Sequence, residues 1–437
     1  MRLLTVIAGI IVATSVACLG SALAAPVETI DLAKALRLAT RNSPELEIMQ
    51  QRIVQAQAKR QQALALVKPT LGVQAQYSHH DEHLELDFSK YIPAGLGVDP
   101  GEPISLQERN QFALYGKLSV PIFRGPAYPL ISAAKKGIRV AQLQQLRSRQ
   151  DYLYQIARLY LGTLMRGELL VTLADKVTLD HQLLKLEEAR VKAGDSPRLS
   201  VLRAKFSLAQ SQQRLADEEI AKAASHEQLA ILLGITNDFK LVMPVLKSSE
   251  TKESKIPGAA RADLAAVDTA IEAAIAQKKS VWWSFAPELT ADGLLRWDSQ
   301  KGFSERNYHA DLMVTFRLPL YDAGLRYSKL KTARAQLATR RSQKAALSRK
   351  IQREIIQSRA ELKAAKKIRS IAEQALALAK AAASDGKLAY TQQTISQSDL
   401  LDINHRLLSA QLGLIKSDFR IRFAHLALDH RRGNFER

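Results

Sequence analysis

Ser119-Val120-Pro121-Ile122-Phe123-Arg124-Gly125 returns as Arg317-Leu318-Pro319-Leu320-Tyr321-Asp322-Ala323-Gly324, with Pro319 standing 198 residues after Pro121. Each run is strand-like, ends in proline and glycine, and leads into a very long helical pattern. Working outward, Ser43-Pro44-Glu45-Leu46 matches Arg261-Ala262-Asp263-Leu264 and Lys68-Pro69 matches Ala286-Pro287, both at an offset of 218. Further on, Gly194-Asp195-Ser196 aligns with Gln393-Thr394-Ile395, Leu202 with Leu401 and Gly234 with Gly433, at 199. The chain reads as an internal duplication, one structural unit used twice. The first copy carries about twenty extra residues between Pro69 and Pro121, at a loop tip, where insertion is tolerated. The expected boundaries are a first repeat over 25–235 with a hairpin at 70–120, a linker over 236–260, and a second repeat over 261–433 with a hairpin at 288–318.

Only 14 prolines and 20 glycines punctuate 437 residues, which implies long unbroken elements. Residues 1–24 read as a secretory signal peptide: Met1-Arg2-Leu3-Leu4 leads through an apolar run to Ala22-Leu23-Ala24, a small-residue cleavage site. Cys18, the sole cysteine, would leave with it. The alternative is lipidation at Cys18, in Ser15-Val16-Ala17-Cys18. A mature chain without cysteine is held by packing and assembly alone. No other stretch approaches the roughly eighteen apolar residues of a membrane helix, so a membrane could be crossed only by strands. The formal charge is +20. Lys329 to Arg369 holds fourteen Lys and Arg against Glu354 and Glu361. Without interleaved aromatics for base stacking, that stripe reads as a solvated helix face rather than a nucleic-acid site.

Within each copy the period changes twice. Asp31 to Ala39 and Glu45 to Lys68 have helical spacing. Then Leu71, Val73, Ala75 and Tyr77 alternate with Gly72, Gln74, Gln76 and Ser78, and Phe112, Leu114, Leu118 and Val120 with Tyr115, Lys117 and Ser119. The second copy repeats the pattern with Leu289 to Trp297 and Tyr308 to Leu318. Each strand is about ten residues, enough to cross a bilayer when tilted. Four strands cannot close a barrel, and lipid does not tolerate an open edge, so several chains must pool their strands. Helix follows each hairpin, from about Tyr128 to Ala193 and from about Arg326 to Gln392, each on the order of 100 Å long. Ile156, Leu170, Val177, Leu184 and Val191, and later Leu400, Leu407, Leu414, Ile421 and Leu428, recur every seven residues, the mark of helices packed as coiled coils. Each long helix turns back at Gly194 or Gln393. The connector Thr236 to Ala260, with Pro244 and Pro257, reads as a surface crossover.

This order, repeated behind a signal peptide, resembles the outer-membrane efflux protein family, the TolC-like channels. The resemblance spans Val27 to Gly433 and is carried by SVPIFRG and RLPLYDAG, with the boundary residues Pro121, Gly125, Pro319 and Gly324, by RVKAGDSPRLSVLRA, and by YTQQTISQSDLLDINHRL. It implies a mainly helical fold: a homotrimer, four strands per chain in one 12-stranded outer-membrane β-barrel, and long coiled-coil helices forming a periplasmic α-barrel. Implied partners are outer-membrane lipid, a periplasmic adaptor and an inner-membrane pump. The tip turns Gly194, Asp195, Gln393 and Thr394 would meet the adaptor. The resemblance places a periplasmic gate at Asp399, Asp402 and Tyr390, the two aspartates ringing a constriction and raising each other's pKa. Read from the residues alone, the aspartates are solvated carboxylates of a first helical turn, and Tyr390 a packing aromatic. Where the family has glycine at the second turn, this chain has Gln393, for which a left-handed conformation is costly.

His79-His80-Asp81-Glu82-His83 is the sole cluster of metal-capable side chains and reads as a solvated external loop, followed by an irregular cap from Ile92 to Pro103. No phosphate loop, nucleophile elbow or catalytic carboxylate pair stands at a strand-to-helix junction, so neither enzymatic chemistry nor a cofactor nor a metal is expected. The reading is a passive exit duct of a tripartite efflux or type I secretion system. A periplasmic coiled-coil adaptor without a pore is the alternative; it accounts for the helices and the signal but not for two amphipathic hairpins.

Overall fold

The computed structural model describes residues 28–41, 43–87, 103–236, 238–244, 261–300 and 306–435. The signal peptide, Cys18, most of the cap and most of the connector lie outside them. In chain order the elements are β1 (Glu28–Ile30), α1 (Leu32–Arg41), α2 (Pro44–Ala65), β2 (Thr70–His79), β3 (Leu84–Leu86), β4 (Ile104–Gln107), β5 (Asn110–Arg124), α3 (Ala127–Lys192), α4 (Arg198–Leu233), β6 (Phe239–Leu241), α5 (Ala262–Trp283), β7 (Glu288–Asp298), β8 (Tyr308–Arg317), α6 (Leu325–Thr391) and α7 (Gln397–Arg432). α2 and α5 are each 22 residues, α3 and α6 are 66 and 67, and α4 and α7 are each 36. Among the described residues no helix is long and apolar enough to cross a membrane.

The chain divides into two compact units, through both of which α3 and α6 run. One comprises Met1–Ser43, Tyr152–Thr251 and Ser358–Leu428. Its core includes Ile30, Leu153, Ile156, Tyr160, Leu161, Leu229, Leu233 and Phe239. Here β1 pairs in parallel with β6. Tyr160 fastens the pair: its hydroxyl lies 2.9 Å from the Ile30 carbonyl and 2.6 Å from that of Val242, and it accepts the Val242 N–H at 3.1 Å. The connector is therefore not wholly a surface crossover. Its start is a strand, because Phe239, 3% exposed, is drawn into the core and the backbone groups this buries must be paired.

The second unit comprises Pro44–Asp151, Lys252–Gln357 and Asp429–Arg437. It holds an antiparallel sheet in the order β2-β5-β7-β8. The register lines up Leu71, Leu118, Gly293 and Leu312 in one row, and Ala75, Leu114, Trp297 and Tyr308 in another. Leu71, Val73 and Leu312 on this face are 76%, 72% and 82% exposed. Rows of the opposite face read Gln74, Tyr115, Arg296, His309 and Gly72, Lys117, Leu294, Asp311. All eight Asp, Glu, Lys and Arg residues of the four strands stand in rows of that opposite face.

β2, β7 and β8 are 10, 11 and 10 residues long, as their alternation predicts, but β5 runs to 15 and is not ended by Pro121. It bulges between Pro121 and Phe123 and continues to Arg124. A proline lacking its N–H is accommodated at such an irregularity. β8 stops at Arg317, before Pro319, and Ala323 (φ 51°) and Gly324 (φ 84°) turn the chain into α6. Arg326 secures that turn through Asp322 at 2.7 Å and the Pro319 carbonyl at 2.7 Å. Gly125 lies under Trp283, where an added Cβ would stand 2.9 Å from ring atom Cε3. Gly125→Ala is expected to cost about 1–3 kcal/mol through overpacking, read as a lowered unfolding midpoint in detergent.

The insertion between β2 and β5 is less irregular than its sequence suggests, since β3 and β4 pair antiparallel within it. His79 ends β2 and bonds Asn110, whereas His83 bonds Glu85. Among the described residues, no group of three or more His, Cys, Asp or Glu side chains could hold a metal ion.

Candidate functional site

The helix turns are built from backbone first. At the end of α3, Gly194 has φ 82°, its N–H reaches the Val191 carbonyl at 3.2 Å, and the Asp195 N–H reaches that of Arg190 at 2.9 Å. This pair of bonds is a Schellman closure, which satisfies carbonyls the helix leaves open. α6 ends alike: Gln393 bonds Tyr390 at 3.1 Å and Thr394 bonds Ala389 at 2.9 Å. Gln393 does adopt the left-handed conformation, at φ 60°. An extra bond helps to hold it there, from the Thr394 hydroxyl to the Ala389 carbonyl at 2.9 Å. A left-handed non-glycine residue costs roughly 1 kcal/mol or more. Gln393→Gly should therefore stabilise the turn by up to about 1 kcal/mol, and Gly194→Ala should destabilise its counterpart by a similar amount, both measurable as shifts in thermal midpoint.

α7 opens on a capping box. Ser396 accepts the Asp399 N–H at 3.2 Å, and the Asp399 carboxylate accepts the Ser396 N–H at 3.0 Å and its hydroxyl at 2.7 Å. The Ser396 hydroxyl and N–H hold the Asp399 carboxyl below the usual carboxylate range. Within one chain, then, Asp399 is a helix cap. Asp402 is exposed and paired with Arg406 at 2.8 Å. The first turns of α4 and α7 are tied by Arg203 to Ser398 at 2.8 Å and by Gln397 to the Ser200 carbonyl at 2.8 Å.

Tyr390 is 6% exposed and packs with Leu183 and Leu400. Its hydroxyl donates to Glu187, which is fully buried. The Arg190 guanidinium lies 4.7 Å over the Tyr390 ring. Burial, reinforced by the Glu187 carboxylate, pushes the Tyr390 hydroxyl up to about 12. The sequence reading missed Glu187. It placed the α3 seam at Ile156, Leu170, Val177, Leu184 and Val191; Ile156 is fully buried, but the other four are only half-buried. The buried positions are Leu169, Leu173, Lys176, Asp180, Leu183 and Glu187, alternately four and three residues apart. Lys176 and Asp180, 4% and 1% exposed, pair with each other, and burial beside Lys176 and Arg214 lowers the His405 pKa. The signal that could have found these groups is three charged residues on one heptad seam, a cost that packing seldom accepts without partners.

The tip thus holds Tyr390, Glu187, Arg190 and a capped Asp399, with Asp195 and Thr394 in the turns. It contains hydrogen-bonded, ionisable groups at helix ends. The sequence profile of the family described as outer membrane efflux protein matches residues 35–235, from α1 through α4. Over this segment the chain is similar to outer membrane efflux proteins. The fold likewise is similar to that of the outer membrane protein VceC of Vibrio cholerae, at 20% identity over 92% of this chain and 96% of that one (TM-score 0.74). It is similar to CusC, studied for transmembrane channel formation, at 15% identity over 92% of each chain (TM-score 0.80). It is similar also to the CmeC outer membrane channel of Campylobacter jejuni, at 16% identity over 93% and 86% (TM-score 0.77). Identities this low show a shared fold. No curated protein matches the sequence.

Proposed function

We propose that three copies of this chain form an outer-membrane exit duct that a periplasmic adaptor and an inner-membrane pump dock and open. The observation that carries this reading is the four-stranded sheet with one exposed, uncharged face and, among the described residues, both edges unpaired. In lipid such a face is at ease, but open edges are not. Each strand runs antiparallel to its neighbour, so β8 is antiparallel to β2 and can pair with the β2 of another copy, as an even-stranded barrel requires. Three copies give the twelve strands that the family resemblance implies. The polar face then lines the lumen, and helices of 66 and 67 residues supply periplasmic reach. The matched lengths of α2 with α5, α3 with α6 and α4 with α7 support reading 25–235 and 261–433 as two copies of one unit. The gate is assigned to Tyr390 with Glu187, and to Asp399 and Asp402 where three copies converge. Gly194, Asp195, Gln393 and Thr394 offer the adaptor contact.

Planar-bilayer conductance of the mature protein, with its mass in detergent from the same sample, tests the duct. Conducting trimers support it, and a monomeric, non-conducting species favours the adaptor reading. Asp399→Asn with Asp402→Asn keeps an acceptor for the cap while removing the charge. This pair should weaken block by multivalent cations; unchanged block would take both residues out of the constriction.

A further inference from the structure

The sheet register collects Arg124, Glu288 and Arg317 in one row of the polar face, since Arg124 pairs with Glu288 and Glu288 with Arg317. Beside it stands the row of Pro121, Thr290 and Thr315, and beyond that the row of Thr70, Ser119, Asp292 and Met313, of which Thr70 and Ser119 reach the cavity. With Lys68, just before β2, these residues wall a cavity of about 280 Å³. Three cations face one carboxylate. Arg124 and Glu288 are 3.9 Å apart, a loose pair, and among the described residues neither the Lys68 nor the Arg317 side chain makes a hydrogen bond or ion pair.

The excess is local. On the rest of the polar face of the four strands, Lys117 and Arg296 meet Asp292, Asp298 and Asp311, a slight acidic balance. Positive charge is therefore concentrated at the helix end of the sheet, around a cavity that also presents the hydroxyls of Thr70, Ser119, Thr290 and Thr315. Guanidinium and ammonium donors joined by hydroxyls suit an oxyanion, and the two arginines suit paired oxygens.

We infer that this cavity binds a small oxyanion of at least two negative charges, a phosphate ester or a dicarboxylate, passing through the duct. The inference rests on the duct reading for its role, though not for the binding itself. The ligand is a dissolved solute rather than a lipid headgroup, because the cavity opens on the face opposite the apolar one. Three copies would place a net six positive charges around the lumen, a ring that favours anions over cations.

The test is isothermal titration of the purified full chain in detergent with inorganic pyrophosphate and with succinate. The wild type should bind at low salt. Lys68→Gln with Arg124→Gln and Arg317→Gln should weaken binding by about tenfold or more, and Glu288→Gln should tighten it. A merely structural role predicts no tightening, and Glu288→Gln still decides the matter if the triple variant misfolds. Equal affinity in wild type and Glu288→Gln, or no binding by wild type, overturns the site. Release of co-purified lipid phosphate by pyrophosphate would overturn the solute assignment. Reversal potentials in a salt gradient then read the duct: the wild type should favour anions and the triple variant should move toward cations. Binding without current sinks the duct reading alone, whereas current with an unmoved reversal potential and unaltered binding sinks the inference alone.

Discussion

Tyr390→Phe is expected to open the duct. The substitution keeps the ring that packs on Leu183 and Leu400 and deletes the hydroxyl that bonds Glu187, a carboxylate with no exposure to solvent. A hydrogen bond to a charged partner contributes about 1.5–3 kcal/mol, so a closed state that depends on it should lose roughly ten- to hundredfold in population against the open one. Single-channel recording would show longer openings, and Glu187→Gln should act in the same direction more weakly, since the amide oxygen still accepts. A closed fraction unchanged in both variants would remove this pair from the gate. The same bond has a pH signature. Because the folded-state pKa of Tyr390 is raised from 10.0 to about 12, its contribution is complete below the unfolded value and fades as pH rises through the folded one. Gating by this bond should be flat from neutral pH to about 10 and fail above it.

Arg261→Ala should be the most damaging single change to the second unit, at about 3 kcal/mol. Arg261, 4% exposed, bonds both oxygens of Asp263 at 3.0 and 2.6 Å, reaches Glu354 at 3.1 Å, and donates to the Arg431 carbonyl at 3.3 Å. It therefore ties the starts of α5, the middle of α6 and the end of α7. Removing it takes the bidentate partner from Asp263 and leaves Glu354 with Arg431 alone, at 3.5 Å; each carboxylate is about one-fifth exposed, which keeps the loss toward the low end for a broken buried pair. Arg261→Lys should recover only part, because one ammonium cannot fork onto Asp263 while reaching Glu354. Burial works to raise the Asp263 pKa, but Arg261 and Arg147 prevail and hold it below the ordinary carboxylate value. A depressed acid stabilises above its unfolded pKa and ceases to do so as pH falls through the folded one. Acid should thus melt wild type progressively below about pH 4 and affect Arg261→Ala less, a comparison that circular dichroism can make. Equal acid sensitivity would refute the assignment.

The sheet was legible because its alternation has period two and no charge breaks the apolar rows from Leu71 to Phe316. The long helices were legible because proline is absent beyond the first turn of α3 and throughout α6. What stayed hidden had weaker local marks. β1 and β6 are three residues each, too short to show a period, and the burial of Phe239 depends on partners distant in sequence. The α3 seam was misread by one residue because Leu170, Val177 and Leu184 are as apolar as Leu169, Leu173 and Leu183; three-dimensional packing chose the register carrying Lys176, Asp180 and Glu187. At the tip, Asp399 was read as a gate carboxylate by resemblance and as a first-turn acid by chemistry. The capping box realises the chemical reading within one chain.

The unpaired β2 and β8 edges carry a genetic consequence. A ring closed by joining one copy's β8 to the next copy's β2 needs both edges from every member, so a single copy with a proline in the middle of β8 leaves the whole ring open. With the three copies proposed above, a cell expressing equal amounts of normal and edge-broken chains that assemble at random would make only about one wholly normal ring in eight. Such an allele would behave as dominant, whereas loss of the gene would be recessive.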